Sequence, residues 1–236
     1  MNAENLFFEL LQVAVGSRDG LSLIPNEEQW DMLLDLSKRQ ALMGVAFAAI
    51  NMLPKEQWPP RTMRLQWGML TQKYVRRNEE LAAMCKEIAA RFAQCGFWCC
   101  VLKGQGNMMN YPERLYDRRA PGDIDVWVVP TPKRMAANHK RPIRTVVDFC
   151  QSVQPADKVG YIHLDFPVWG DAEIEVHIRP SFLCSPLHNW RLQRWFRRQA
   201  GRQRSDSRDF PIPTNGFNAV YQLLHIYKHL FEEGIG

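Results

Sequence analysis

The nine residues GDIDVWVVP, 122–130, constrain this chain most. Asp123 and Asp125 alternate with Ile124 and Val126 in a run rich in strand formers. Side chains alternate across a strand, so both acids share one face and the apolar pair shares the other. Charge on the edge of an apolar strand is costly unless something compensates it. A second stretch repeats the pattern, AEIEVHIRP at 172–180, where Glu175 stands between Ile174 and Val176. Acids brought together in this way repel unless a positive group lies between them. A hard divalent cation, magnesium or manganese, is the first candidate, because carboxylate oxygens suit both. The plain alternative is a structural α/β module whose acids are merely solvated.

The rest of the chain frames these two strands. The first 96 residues read as helical. Leu6, Phe7, Leu10, Leu11 and Val13 recur at helical spacing, and Asn26 is placed to cap a helix burying Trp30, Leu33, Leu34 and Leu36. Small apolar residues follow to Leu53, Pro59 and Pro60 break the chain, and a long amphipathic helix runs from Arg61 to Cys95, with Gly96 as its C-terminal cap. Residues 97–188 then hold an α/β domain. FWCCVL is a strand, KGQGNMMNYP a turn with a short helix, DIDVWVV a strand and 142–153 a helix. YIHLDFPVW and AEIEVHIRP flank a Gly170-Asp171 hairpin turn. Residues 189–236 read as a helical segment, arginine-rich at first, ending in a helix capped by Asn215.

Composition excludes some classes. Apolar residues make up 46% and charged residues 23% of 236, an ordinary globular balance. The net charge of +5 permits an anionic ligand without demanding nucleic acid. Six cysteines form no CxxC pair, and Cys99 and Cys100 lie in an apolar run that suits reduced core thiols. The N-terminus carries Glu4 and Glu9 and no basic start, unlike a signal peptide. No apolar run approaches the roughly 20 residues that span a bilayer. A cytoplasmic protein without a membrane partner is the expectation.

Two further signals accompany the acids. Lys103-Gly104 follows a strand and opens a short helix, a place where backbone amides approach phosphate. Gly122 removes bulk at the mouth of the acidic strand. Lys103 and Arg119 are candidate phosphate contacts, Arg119 ahead of Arg118.

The series of strand, glycine turn and helix, then GDIDVWV, then IEVHIRP resembles the nucleotidyltransferase superfamily that includes DNA polymerase beta. The details LKGxxxxxxYP, RxxGDIDVWV, HLDF and IEVHIRP are similar to bacterial uncharacterised nucleotidyltransferase family proteins. The likeness is close over about 97–180. The final helix, LLHIYKH, also looks similar. The resemblance implies an α+β fold, a small mixed sheet with flanking helices behind a helical N-terminal region. It implies that Asp123, Asp125 and Glu175 ligate Mg2+ or Mn2+, with Glu175 also helping to deprotonate the acceptor. Gly104 would begin the phosphate-binding turn. The superfamily's usual Gly-Ser or Gly-Gly turn is Gly104-Gln105 here, with Gly106 keeping it open. Similar proteins continue past this point with more helices, so the resemblance also suggests a C-terminally shortened chain.

The expected activity is transfer of a nucleoside monophosphate from a nucleoside triphosphate, ATP first, to a hydroxyl of an unidentified small molecule or protein, with release of pyrophosphate. The alternatives are a degenerate or antitoxin-like nucleotide-binding protein on the same fold, and an RNA-directed nucleotidyltransferase. The last draws on Arg191, Arg194, Arg197, Arg198, Arg202, Arg204 and Arg208, interleaved with Trp190, Trp195 and Phe196. A solvated helix face accounts for the same cluster.

His163, Asp165 and His177 depend on register. A three-residue loop sets Asp165 opposite Glu175 and His163 opposite His177, whereas a two-residue loop brings Phe166 and Leu164 there. His163 and His177 are candidate supports for Glu175. His225 and His229, four apart, read as packing. Replacing Asp125 by asparagine is expected to abolish activity and to keep or raise stability by relieving repulsion.

Overall fold

The computed structural model describes residues 3–137, 141–155, 158–166, 169, 171–205 and 208–232. The chain divides into two compact units, Met1–Glu80 with Met108–Pro121, and Leu81–Asn107 with Gly122–Gly236.

The first unit is helical. Helices α1 (Ala3–Val15), α2 (Glu27–Arg39) and α3 (Met43–Ile50) precede α4 (Arg61–Gln94), a long helix that continues into the second unit. Asn26 caps α2 as its spacing suggests: its side chain accepts from Gln29 N, and the Gln29 side chain accepts from Asn26 N, each at 2.9 Å. The apolar stretch before Leu53 becomes helical only from Met43, because Ala41 takes a left-handed conformation (φ 55°) that separates α3 from α2. Leu6, Leu10, Leu33, Ile50, Trp30 and Trp67 form the core, the two indoles meeting edge to face at 6.4 Å. Asn78, buried on α4, donates to the carbonyls of Asp117 and Arg119 at 3.1 and 2.9 Å, tying down the 108–121 segment.

The second unit holds a four-stranded mixed sheet in the order β1-β2-β4-β3. Its strands are β1 (Phe97–Val101), β2 (Ile124–Pro130), β3 (His163–Asp165) and β4 (Ile174–His177). β2 runs antiparallel to β1 and parallel to β4, and β3 is antiparallel to β4. The expected α+β class and small mixed sheet are what the chain adopts. Gly96 ends α4 as the sequence indicates, at φ 80°. Short helices α5 (Lys103–Asn107) and α6 (Pro132–Ala137) follow β1 and β2, and α7 (Pro142–Val153) lies against β2. Helix α8 (Pro186–Gln199), a small ladder of β5 (Gln203–Ser205) with β6 (Pro211–Pro213), and α9 (Asn215–Tyr227) complete it. Thr214, not Asn215, caps α9: the Thr214 hydroxyl accepts from Phe217 N at 3.4 Å, and Asn215 is already helical.

The sheet has two chemically different faces. Ile124, Val126, Ile174, Val176 and Leu164 are buried and supply one. Val146, Val147 and Cys150 of α7 are buried with Phe92, Phe97 and Phe166 in the same unit, and Phe97 meets Phe149 at 4.8 Å. On the other face Trp127 stacks on Phe217 at 5.4 Å, beside Phe196 and Tyr221. None of the six cysteines is in a disulfide among the described residues, and burial raises the thiols of Cys99 and Cys100 well above their ordinary value and that of Cys150 to about 12.

Candidate active site

The acids meet because β2 and β4 are parallel and in register. Asp125 pairs with Glu175, Val126 with Val176 and Trp127 with His177. β3 then sets Asp165 opposite Glu175 and His163 opposite His177, the register of the three-residue alternative. The pairing is carried through Phe166 N to Ile174 O at 2.8 Å; Gly170 of the expected turn lies outside the described residues. Carboxylate oxygens of Asp123, Asp125 and Glu175 come within 4.8 Å of one another. Such an all-oxygen donor set suits a hard divalent cation.

The positive partner between these acids is already present in the protein. Lys103 Nζ donates to Asp125 Oδ1 at 2.7 Å, and His177 Nε2 lies 2.7 Å from the same oxygen. Burial pushes the Asp125 carboxyl up, but the His177 hydrogen bond and the Lys103 charge outweigh it and hold the group well below the usual carboxylate range. His177 answers in kind: burial favours its neutral form, yet hydrogen bonds to Asp125 and Glu175 raise its affinity for a proton. Asp123 is exposed, and its carboxyl is raised first by desolvation and then by the charge of Asp125.

This pairing reverses one expectation. Asparagine at 125 does not simply relieve repulsion; it removes the acceptor of two charge-assisted hydrogen bonds. The substitution is therefore expected to destabilise the fold.

The glycine turn also differs from its sequence reading. Lys103, not Gly104, takes the left-handed conformation, at φ 40°. That strain, about 1–2 kcal/mol for a residue with a Cβ, is held where Lys103 reaches Asp125. Helix α5 has only five residues, too few for a substantial dipole. Gly106 is required by packing, since a Cβ there would lie 2.2 Å from Val101 O. Gly122 is open, and a Cβ would meet nothing within 4 Å. Arg119 lies in the 108–121 segment of the first unit.

Three residues take places in the site that their local sequence did not signal. Arg208 donates to Gln105 Oε1 at 3.0 Å and to Gln105 O at 2.9 Å. The buried Gln105 thus fixes a guanidinium at the turn. Tyr221 of α9 is buried, and its phenol is pushed well above its ordinary value by burial and by the charges of Asp125, Glu175 and Asp123. Lys103 has a role sequence assigned elsewhere, to phosphate.

The other arginines divide by face. On α8, Leu192 and Phe196 are buried while Arg191, Arg194, Arg197 and Arg198 are exposed, as a solvated helix face requires. Arg204 bonds Asn215. Asp206 lies outside the described residues. His225 and His229 are half-buried and pack edge to face at 4.3 Å. No helix is long and apolar enough to cross a membrane among the described residues.

No curated protein and no solved structure matches the chain. A family model described as an uncharacterised nucleotidyltransferase matches residues 26–236. With that match over most of its length, and nucleotidyl transfer as the general activity it supports, this chain belongs to the family of uncharacterised nucleotidyltransferases.

Proposed function

We propose that this protein is a metal-dependent nucleotidyltransferase that moves a nucleoside monophosphate from a triphosphate, ATP in the first instance, to a hydroxyl of a small molecule or protein. One observation carries the reading: three carboxylates converge within 4.8 Å, Asp125 and Glu175 on two strands paired in parallel register and Asp123 directly before the first of them. Asp123, Asp125 and Glu175 would hold Mg2+ or Mn2+. Bound there, the metal would supply neutralisation of phosphate charge and activation of the attacking hydroxyl.

The chain's own groups do the rest. Glu175, half-buried beside two imidazoles, takes the proton of the acceptor hydroxyl. The hydroxyl oxygen then bonds to the α-phosphorus, the bond to the bridging oxygen breaks, and pyrophosphate leaves with that electron pair. Gln105 presents Arg208 at the turn, where its guanidinium meets the leaving phosphates. Lys103 keeps Asp125 ionised and oriented.

A second reading is favoured by that same lysine. Asp125 is neutralised by Lys103 and His177 without any ion, which suits a nucleotide-binding protein that does not turn over. Thermal unfolding with ATP, with and without Mg2+ or Mn2+, together with pyrophosphate release, separates the two. ATP at about 100 times its dissociation constant stabilises by about 2.7 kcal/mol. A metal-dependent shift with pyrophosphate release, both lost in Asp125→Asn, supports the transferase. A shift without release supports the second reading, and no shift removes both.

A further inference from the structure

Beside the carboxylate set lies a second donor set that nucleotidyl transfer does not call for. His163 Nδ1 stands 3.5 Å from Glu175 Oε2, and His177 Nε2 stands 3.4 Å from the same oxygen. The three ligand atoms lie within 4.8 Å of one another. A tetrahedral zinc site has metal–ligand bonds of about 2.0–2.2 Å, which places neighbouring ligand atoms about 3.3–3.5 Å apart. Two edges of this triangle have that length. Two imidazoles and one carboxylate are also a donor set of different chemistry, since imidazole favours the later divalent transition ions and an all-carboxylate set favours magnesium.

The placement follows from the register. His163 and His177 face each other across β3 and β4, and Glu175 is the next residue on that face of β4. A shift by one residue would bring Leu164 into the position of His163 and destroy the set. His177 is held rigidly by burial, whereas His163 and Glu175 are partly exposed and leave an entry path.

We propose that His163, Glu175 and His177 form a binding site for a divalent transition ion of the zinc and cobalt kind, distinct from the carboxylate set and sharing only Glu175 with it. On binding, His177 releases to solvent the Nε2 proton that it donates to Asp125, and the freed Nε2 lone pair turns to the ion. Asp125 keeps Lys103 as its partner. His177 Nδ1, which has no hydrogen-bond partner, carries the ring proton. An ion there holds Glu175, so zinc competes with magnesium for that carboxylate.

The test is a metal titration of the full chain after chelator treatment. It reads zinc affinity by competition with a chromophoric chelator and cobalt coordination by visible absorption. It needs no turnover, so a failure of the transferase reading leaves it intact. Wild type is expected to bind zinc, with cobalt bands showing nitrogen ligation. His163→Gln, at a partly exposed position, should weaken zinc by about tenfold or more with unchanged circular dichroism. Asp123→Asn should keep zinc affinity close to wild type while weakening magnesium. No zinc binding by wild type overturns the proposal. So does unchanged zinc affinity in His163→Gln, or loss of zinc in Asp123→Asn, which would place the ion among the carboxylates.

Discussion

The two faces of the β2–β4 pair are made by the same strands and share one register, yet they do opposite work. One face is Ile124, Val126, Ile174 and Val176, all buried. Its energetics are those of any core, apolar area removed from water. The other carries Asp125, Glu175 and His177, with Asp123 just before β2, and a charged network there stands on an apolar sheet. Its buried members are tolerated because each finds a partner of opposite sign. The difference teaches that alternation alone lets one strand hold a generic core and a costly polar site back to back. Substitutions on one face should therefore change stability, and on the other chiefly chemistry.

The largest test of that division is Asp125→Asn. Pyrophosphate release should fall on the order of a thousandfold, the scale of losing a preorganised group that stabilises charge. The variant should also unfold more easily, since Lys103 and His177 lose their shared acceptor. Turnover close to wild type would remove Asp125 from the site.

Val126→Ala probes the opposite face. It should cost about 2–3 kcal/mol in chemical denaturation, with turnover per folded molecule unchanged. A loss of turnover without a loss of stability would show that the faces are not independent.

Lys103→Met sharpens the comparison. Removing the partner of a buried carboxylate should cost about 1–3 kcal/mol, and magnesium should restore more stability to the variant than it adds to wild type. Equal effects of magnesium on both would show that Lys103 and the ion do not serve the same oxygen.

The smallest effect is a slope. Cys150 lies on the apolar side with its thiol raised from 9.0 to about 12. The folded state keeps this proton longer than the unfolded state, so its contribution is complete below about pH 9 and is lost as pH rises toward 12. One such group changes stability by about 1.4 kcal/mol per pH unit in that window. Denaturation between pH 9 and 11 should be less steep in Cys150→Ala, and an unchanged slope would show that this thiol does not set it.

Much of this was legible in the chain. The alternation of GDIDVWVV determined which residues share a face, because a strand's period of two leaves no choice. Asn26, Gly96 and the prolines marked helix ends through local backbone chemistry. What the tertiary structure alone decided was who meets whom. Asp125 finds Lys103 22 residues before it and His177 52 residues after it, and Gln105 finds Arg208 across 103 residues. The register that joins His163 to His177 hung on a loop that periodicity could not resolve. Local pattern reports a residue's face because neighbouring backbone dihedrals set it. Partnership across the chain depends on how strands pair and helices pack, and only the folded arrangement supplies that.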